Sequence, residues 1–456
     1  MKSYSCTCAA VLLIAVSVST ATAATLKVAG NGNDGETCGS NTEPCRTISK
    51  AISRASAGDM ILVGPGVYGD VNGDGVFDAS AGDEVSGDPT RVIIVDRSVT
   101  IRSTGGASVT MLSGPNCLLS TMTLVSIEAS GVELGAKGKG FTFRSSACIG
   151  DVVGLEVSAA TNGVTIAGNT FATDLYAGTL DGSNHILKNN VLRRAETSDA
   201  LGPPSLVFQL GGEGHRVENN VGENGTFATL PGSRNIVFKR NRMLAQAGIS
   251  FELRGSGHVL EGNVSSSALG ASSCSAGFFC FGDCGLAGGL TWAKNIAQGP
   301  CGAGFTIISG AGHVLRDNVA ADEAVGFTIG GSATVVTLTG NVAVACETAG
   351  LMLTTPSVAT VTNNSFVGNR GVGIQAFVDA GTTISGNNIY GNDTASGSNC
   401  GIQLSASGLL NAPGNYWGAK EGPGSDPADA ACPGSGVIDT GAPASSPFAV
   451  IAPKYP

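Results

Sequence analysis

The sequence predicts an all-β solenoid: a single-stranded parallel β-helix with a short N-terminal capping α-helix. Three observations carry the prediction. First, Asn recurs at one point of a repeat, at Asn169, Asn190, Asn220, Asn241, Asn263, Asn295, Asn318, Asn341, Asn364, Asn387 and Asn415. Seven of the ten steps are 21 to 23 residues long and the other three read as the same step with an inserted loop, the mark of a stacked repeat. Second, each repeat carries short runs of alternating apolar residues, such as GISFELR, GFTIIS and GFTIGG, and no stretch long enough for a crossover helix. Third, the residue three before the Asn is apolar on ten rungs, from Ile166 and Leu187 to Val361 and Ile384, with Ala412 on the last, so that position points inward.

Composition agrees. Charged residues are 13% and aromatic residues 5% of the 456, while Gly numbers 68, which suits short strands joined by tight turns better than a helical bundle. A net charge of -10, with no basic block, excludes a nucleic-acid backbone as partner. The first 23 residues supply a Lys, an apolar run from Ala9 to Val18 and a small-x-small ending at Ala21 and Ala23, and read as a secretory signal peptide. No later stretch is apolar for long enough to span a bilayer, so a secreted (extracellular or periplasmic) monomer without a transmembrane segment is expected. Removing Cys6 and Cys8 leaves eleven Cys, which in an exported chain predicts disulfides with at least one thiol left over. Cys38 and Cys45 are the first expected bridge; Cys274, Cys280, Cys284 and Cys301 surround the longest insertion and would pin it, with metal ligation as the competing reading.

In chain order, residues 24–91 are expected to form the N-terminal cap, with a helix from Thr47 to Gly58 that turns Ile48, Ala51, Ile52 and Ala55 to one face. Residues 92–418 hold 13 to 14 rungs, and residues 419–456 form a C-terminal cap or tail. Asn is expected at the corners because it tolerates the left-handed region and its side chain can bond along the stack. Two residues before the Asn stand Lys188, Glu218, Lys239 and Glu261, an alternation that would pair charges between rungs.

The repeat, the segment PCRTISKAISRASAGDMILVGPGVY and the segment GNYWGAKEGPGSDP together resemble secreted bacterial right-handed parallel β-helix proteins of the pectin-lyase-like superfamily, over nearly the whole chain after residue 23. The resemblance implies a right-handed coil and a polysaccharide site on the outer face of one sheet. Relatives include enzymes that cut acidic polysaccharides and proteins without activity, and fold does not choose between them.

Four groups of residues could carry chemistry. Asp70, Asn72, Asp74 and the following Gly match the first half of a calcium loop, with the Val76 carbonyl, Asp78 and Asp83 as further oxygen donors. Ala81 stands where an EF-hand has its bidentate Glu, so the loop is not a standard EF-hand; a structural calcium is expected, with a solvated acidic turn as the alternative. His185, His215, His258 and His313 all lie five residues before a ladder Asn, which marks a strand-start position, not a unique catalytic base. The outward row of the strand after Gly is read as Ser250, Thr306, Thr328, Met352, Gln375 and Gln403, neutral and suited to an extended glycan. The best charged group is Glu252 with Arg254, joined by Arg193, Arg194, Glu196 and Asp199 from the insertion before Asn220, and these are the candidates for a lyase or hydrolase site. The expected function is glycan binding or a structural surface role, with a polysaccharide lyase or glycoside hydrolase as the alternative.

Overall fold

The computed structural model describes residues 22–74, 76–114, 121–144, 152–173, 176–193, 206–246, 248–267, 275–331, 334–354, 357–377 and 381–450. Among them the strands form three long sheets, of 16, 13 and 14 strands, in which each strand pairs in parallel with its equivalent one rung away. A rung runs through the first sheet (Thr165–Ala167), the second (Thr170–Ala172) and the third (Tyr176–Leu180), then returns to the first at Ile186–Lys188. This is the right-handed parallel β-helix.

The corner between the first and second sheets is where the repeat is built. Its left-handed residue is not the ladder Asn but the residue before it: Gly168, Asn189, Asn219, Arg240, Gly262, Lys294, Asp317, Gly340, Asn363, Gly386 and Gly414 all have positive φ, between 55° and 69°. The sequence reading gave one residue two jobs, and the structure divides them. The left-handed residue bends the chain, and the Asn after it turns its side chain into the interior. From Asn169 to Asn387, each ladder Asn amide N–H donates to the Oδ1 of the next Asn at 2.8–3.0 Å. Each Nδ2 donates to the carbonyl of the inward residue one rung back, as Asn263 does to Phe238 at 3.0 Å. The buried corner amides are thereby satisfied without water.

The core follows from the same register. The residue three before each Asn is fully buried from Ile166 to Ala412. Inside the third sheet, Phe208, Phe227, Phe251, Phe278, Phe305 and Phe327 form a file, with centroids 4.7–4.9 Å apart from Phe251 onward. On the outside of the first sheet Lys188, Glu218, Lys239 and Glu261 are register partners, and Lys239 meets Glu261 at 3.0 Å.

Both ends are covered. The helix α1 (Ile48–Arg54) buries Ile48, Ala51 and Ile52, with the Thr47 side chain accepting the Lys50 amide as N-cap. It ends four residues before the expected Gly58, because Ala55 is already extended and the Asp59 carboxylate takes the Ser56 amide. At the other end Trp417 is buried and Phe448 exchanges two hydrogen bonds with the Asn388 side chain.

A second ladder went unread in the sequence. Between the second and third sheets, Glu323, Cys346, Asn369 and Asn392 stand 23 residues apart and face inward. The Cys301 amide donates to Glu323 Oε2, Cys346 to Asn369 Oδ1 and Asn369 to Asn392 Oδ1, at 3.0–3.2 Å, and the Asp429 carboxylate closes the series on Asn392. Cys346 is a free thiol, pushed up to about 12 by burial. Elsewhere Cys38–Cys45, Cys280–Cys284 and Cys400–Cys432 are disulfides, and Cys301 is also disulfide-bonded. The bridges rule out thiolate ligation by Cys280, Cys284 and Cys301.

Burial raises the Glu323 carboxyl to about 8. A raised folded-state pKa means that the native state holds its proton more tightly than the unfolded chain, so the stabilisation is full below about 4.3 and is lost as pH rises through about 8. Glu323→Gln is therefore expected to match the parent in thermal midpoint at pH 4.5 and to exceed it at pH 8; equal midpoints at both pH values would contradict the assignment.

Candidate functional site: the outer face of the third sheet

Register fixes which side chains share this face. The outward file runs Glu156, Thr179, Gln209, Ala228, Glu252, Phe279, Thr306, Thr328, Met352, Gln375 and Gln403, one residue per rung. Ser250, expected in this file, is buried, and its Oγ lies 2.6 Å from that of Ser265. The cause is a misread glycine. Ile249 pairs with Ala276 and Phe251 with Phe278, so Ser250 takes the place filled by Gly277 on the next rung, and Glu252 is the outward residue. Gly248 lies before the strand.

Glu252 and Arg254 are two residues apart on and just beyond Ile249–Leu253, and both are half-buried. One rung on, Phe279 and Phe281 project from the same face, their rings stacked with centroids 5.0 Å apart, and the Arg254 guanidinium lies over Phe281 at 4.2 Å. A cation over an aromatic face is held by the ring quadrupole, which orients Arg254 along the surface. Three features fix the platform. Phe278, just before the pair, is locked in the core file, the Cys280–Cys284 bridge closes the turn, and Asp283 Oδ2 accepts the Gly232 amide at 2.8 Å from two rungs back. Sequence reasoning missed this pair; the i, i+2 aromatic alternation in FFCFGDC was the signal.

Arg193 ends a strand of the second sheet, opposite Glu223 in register, so it is not in the file of Glu252. Arg194, Glu196 and Asp199 lie outside the described residues.

The four His have a structural explanation. All are buried at the turn from the third sheet to the first. Each Nε2 lies 2.6–2.9 Å from the carbonyl four residues earlier, as His258 does from Arg254, and each Nδ1 accepts a backbone amide from the preceding rung. Nε2 is therefore the protonated nitrogen, and neither lone pair nor proton remains for catalysis or a metal. Burial lowers all four, His215 and His258 to about 4.

In the acidic loop the donors fit a hard cation in chemistry, since all are oxygens. Asp70 and Asp83 are buried; Asp83 accepts the amides of Val71 and Asp78, and Asp70 that of Gly73. Asn72 and Asp74 are joined by side-chain and amide bonds, Val76 donates its amide to Asp74, and Asp78 is lowered by its bonds to Ser80. The neighbouring Glu84 is committed elsewhere: its oxygens accept the amides of Ile48 and Ser49 at the start of α1, and burial raises it to about 7. Among the described residues the one trio of possible ligand side chains that lies close together is Asp34, Cys38 and Cys45, whose sulfurs are bonded to each other.

Two family models match the chain: one described as periplasmic copper-binding protein (NosD), over residues 293–416, and one described as a protein of unknown function (DUF1565), over residues 30–178. No curated protein matches the sequence. Solved structures of similar architecture include a PL6 alginate lyase in complex with trisaccharide, at 10% identity over 91% of this chain and 94% of that one, with a TM-score of 0.43. A rhamnogalacturonan lyase aligns at 13% identity over 79% and 83%, with a TM-score of 0.40. The A-module of the Azotobacter vinelandii mannuronan C-5 epimerase AlgE6 aligns at 13% over 88% and 94%, with a TM-score of 0.33. Among the described residues no helix is long and apolar enough to cross a membrane. With its three parallel sheets and repeating corner, the chain is in fold a right-handed parallel β-helix.

Proposed function

We propose that this chain is an exported, monomeric glycan-binding β-helix whose binding surface is the outer face of the third sheet. The stacked pair Phe279 and Phe281, with Arg254 laid over it, carries the reading. An aromatic ring offers an apolar plane to the C–H face of a sugar, and Glu252 and Thr328 of the same file offer hydrogen-bond partners to its hydroxyls. Disulfides support export, and the covered ends of the coil support a monomer. The copper-binding description of one matching family finds no support in the His, whose ring nitrogens are all engaged.

The enzymatic reading is favoured by one observation: Glu252 and Arg254 stand together beside the platform. Against a hydrolase, the nearest carboxylate along the same file is Glu156, four rungs away. At one strand spacing per rung that is about 19 Å, beyond the reach of a two-carboxylate mechanism. A panel of polysaccharides, assayed for co-sedimentation with the full chain and for release of chain ends, separates the readings. Binding without release is expected, weakened at least about tenfold by Phe279→Ala with Phe281→Ala. Release that disappears in Glu252→Ala would establish the enzyme instead, and failure to bind any glycan would sink both.

We also propose that Asp70, Asn72, Asp74, Val76, Asp78 and Asp83 hold a structural calcium, supported by their oxygen donors at alternate positions and by six acidic residues without a Lys or Arg between Asp70 and Asp88. Calorimetry should show a higher thermal midpoint in calcium than in chelator, a difference abolished by Asp74→Ala. No difference in the parent chain would dismiss the ion.

A further inference from the structure

Charge on the third sheet is one-sided, and this bears on what kind of glycan the face takes; the inference rests on the glycan-binding reading above. Toward the N-terminal end, Glu128, Glu156, Asp181 and Glu252 lie on two adjacent files of the outer surface. Among the described residues the cations there are Arg91, already paired with Glu128 at 2.6 Å, and Arg254, laid over Phe281. Asp181 is shifted upward by burial and by the neighbouring Glu156, as expected where like charges crowd without a counter-charge. Beyond the platform, the file from Thr306 through Thr328, Met352 and Gln375 to Gln403 carries no charge over five rungs.

A polyuronate brings one carboxylate per sugar. Laid along this face it would meet Glu156, Asp181 and Glu252 with, among the described residues, Arg254 to offset them, and like charges on a half-buried surface repel. Laid along the C-terminal half it would find no Lys or Arg in the file at all. Gln and Thr side chains instead donate to and accept from hydroxyls without regard to charge. We infer that the face selects an uncharged glycan, stacked on Phe279 and Phe281 and extended along the neutral file toward Gln403, and that the carboxylates on the N-terminal side exclude polyuronates.

The test is affinity electrophoresis of the full chain through gels containing a neutral β-glucan, a neutral galactan, a neutral mannan, polygalacturonate or alginate, at low salt and at about 0.2 M salt. Retardation is expected in at least one neutral gel, unchanged by salt, and weakened about tenfold in Phe281→Ala, whose fold is checked by circular dichroism. Glu156→Gln combined with Asp181→Asn should leave neutral binding in place and let a polyuronate gel retard the chain. Retardation by a polyuronate as strong as, or stronger than, that by every neutral gel overturns this inference while leaving glycan binding intact. Absence of retardation in all five gels removes the glycan reading itself, and this inference with it.

Discussion

A coil of β-strands must turn sharply between its first and second sheets on every rung, and the amides at that corner are buried. An unmade hydrogen bond there costs about 1–3 kcal/mol, repeated at each level of the stack. The ladder Asn removes the cost by offering, from one side chain, an acceptor to the amide of the previous rung and a donor to its carbonyl. Each Asn depends on the next, so the bonds also fix the distance and register between rungs. Inward placement of the core residues, stacking of the Phe file and alignment of the outer rows all follow from that register.

The surface inherits this order. Because equivalent residues stand one strand spacing apart, any property at one repeat position becomes a row on the outside, whether charged, hydroxylic or apolar. The third sheet shows the consequence: an acidic stretch, an aromatic step and a neutral stretch succeed each other along one face. The aromatic step lies on the rung that follows the insertion after Ser267, where the Cys280–Cys284 bridge and Asp283 hold the turn in place. A loop added to a solenoid leaves the ladder undisturbed, so this is where the chain can acquire a feature unlike its neighbours.

Much of this was legible in the sequence because it is periodic. Asn at a fixed step and an apolar residue three positions earlier gave the fold and the inward phase, and the structure bears out both; of the alternating Lys and Glu, Lys239 pairs with Glu261, while Glu218 bonds to Arg216 instead. The left-handed residue escaped because Gly, Asn, Asp, Lys and Arg all fill it, so conformation repeats where residue type does not. The second ladder escaped for the same reason: Glu323, Cys346 and Asn369 share a hydrogen-bonding role but no common name. On the candidate site, counting from Gly248 shifted one strand and put Ser250 outside, when the buried aromatic file sets the phase. Phe279 and Phe281 carry a local signal in their i, i+2 spacing, but only the register with the buried Phe251 tells which aromatic of the run is core and which is surface.

The account stands or falls on the division of labour at the corner. Denaturant unfolding of Asn263→Ala and Asn363→Gly tests it, since Asn263 is a ladder side chain and Asn363 a left-handed residue at φ 55°. Loss of about 3 kcal/mol is predicted for Asn263→Ala, which strands the buried Asn241 amide and Phe238 carbonyl of the preceding rung, against less than about 1 kcal/mol for Asn363→Gly, which keeps the backbone conformation. Equal losses for the two substitutions, or a larger loss at Asn363, would contradict it.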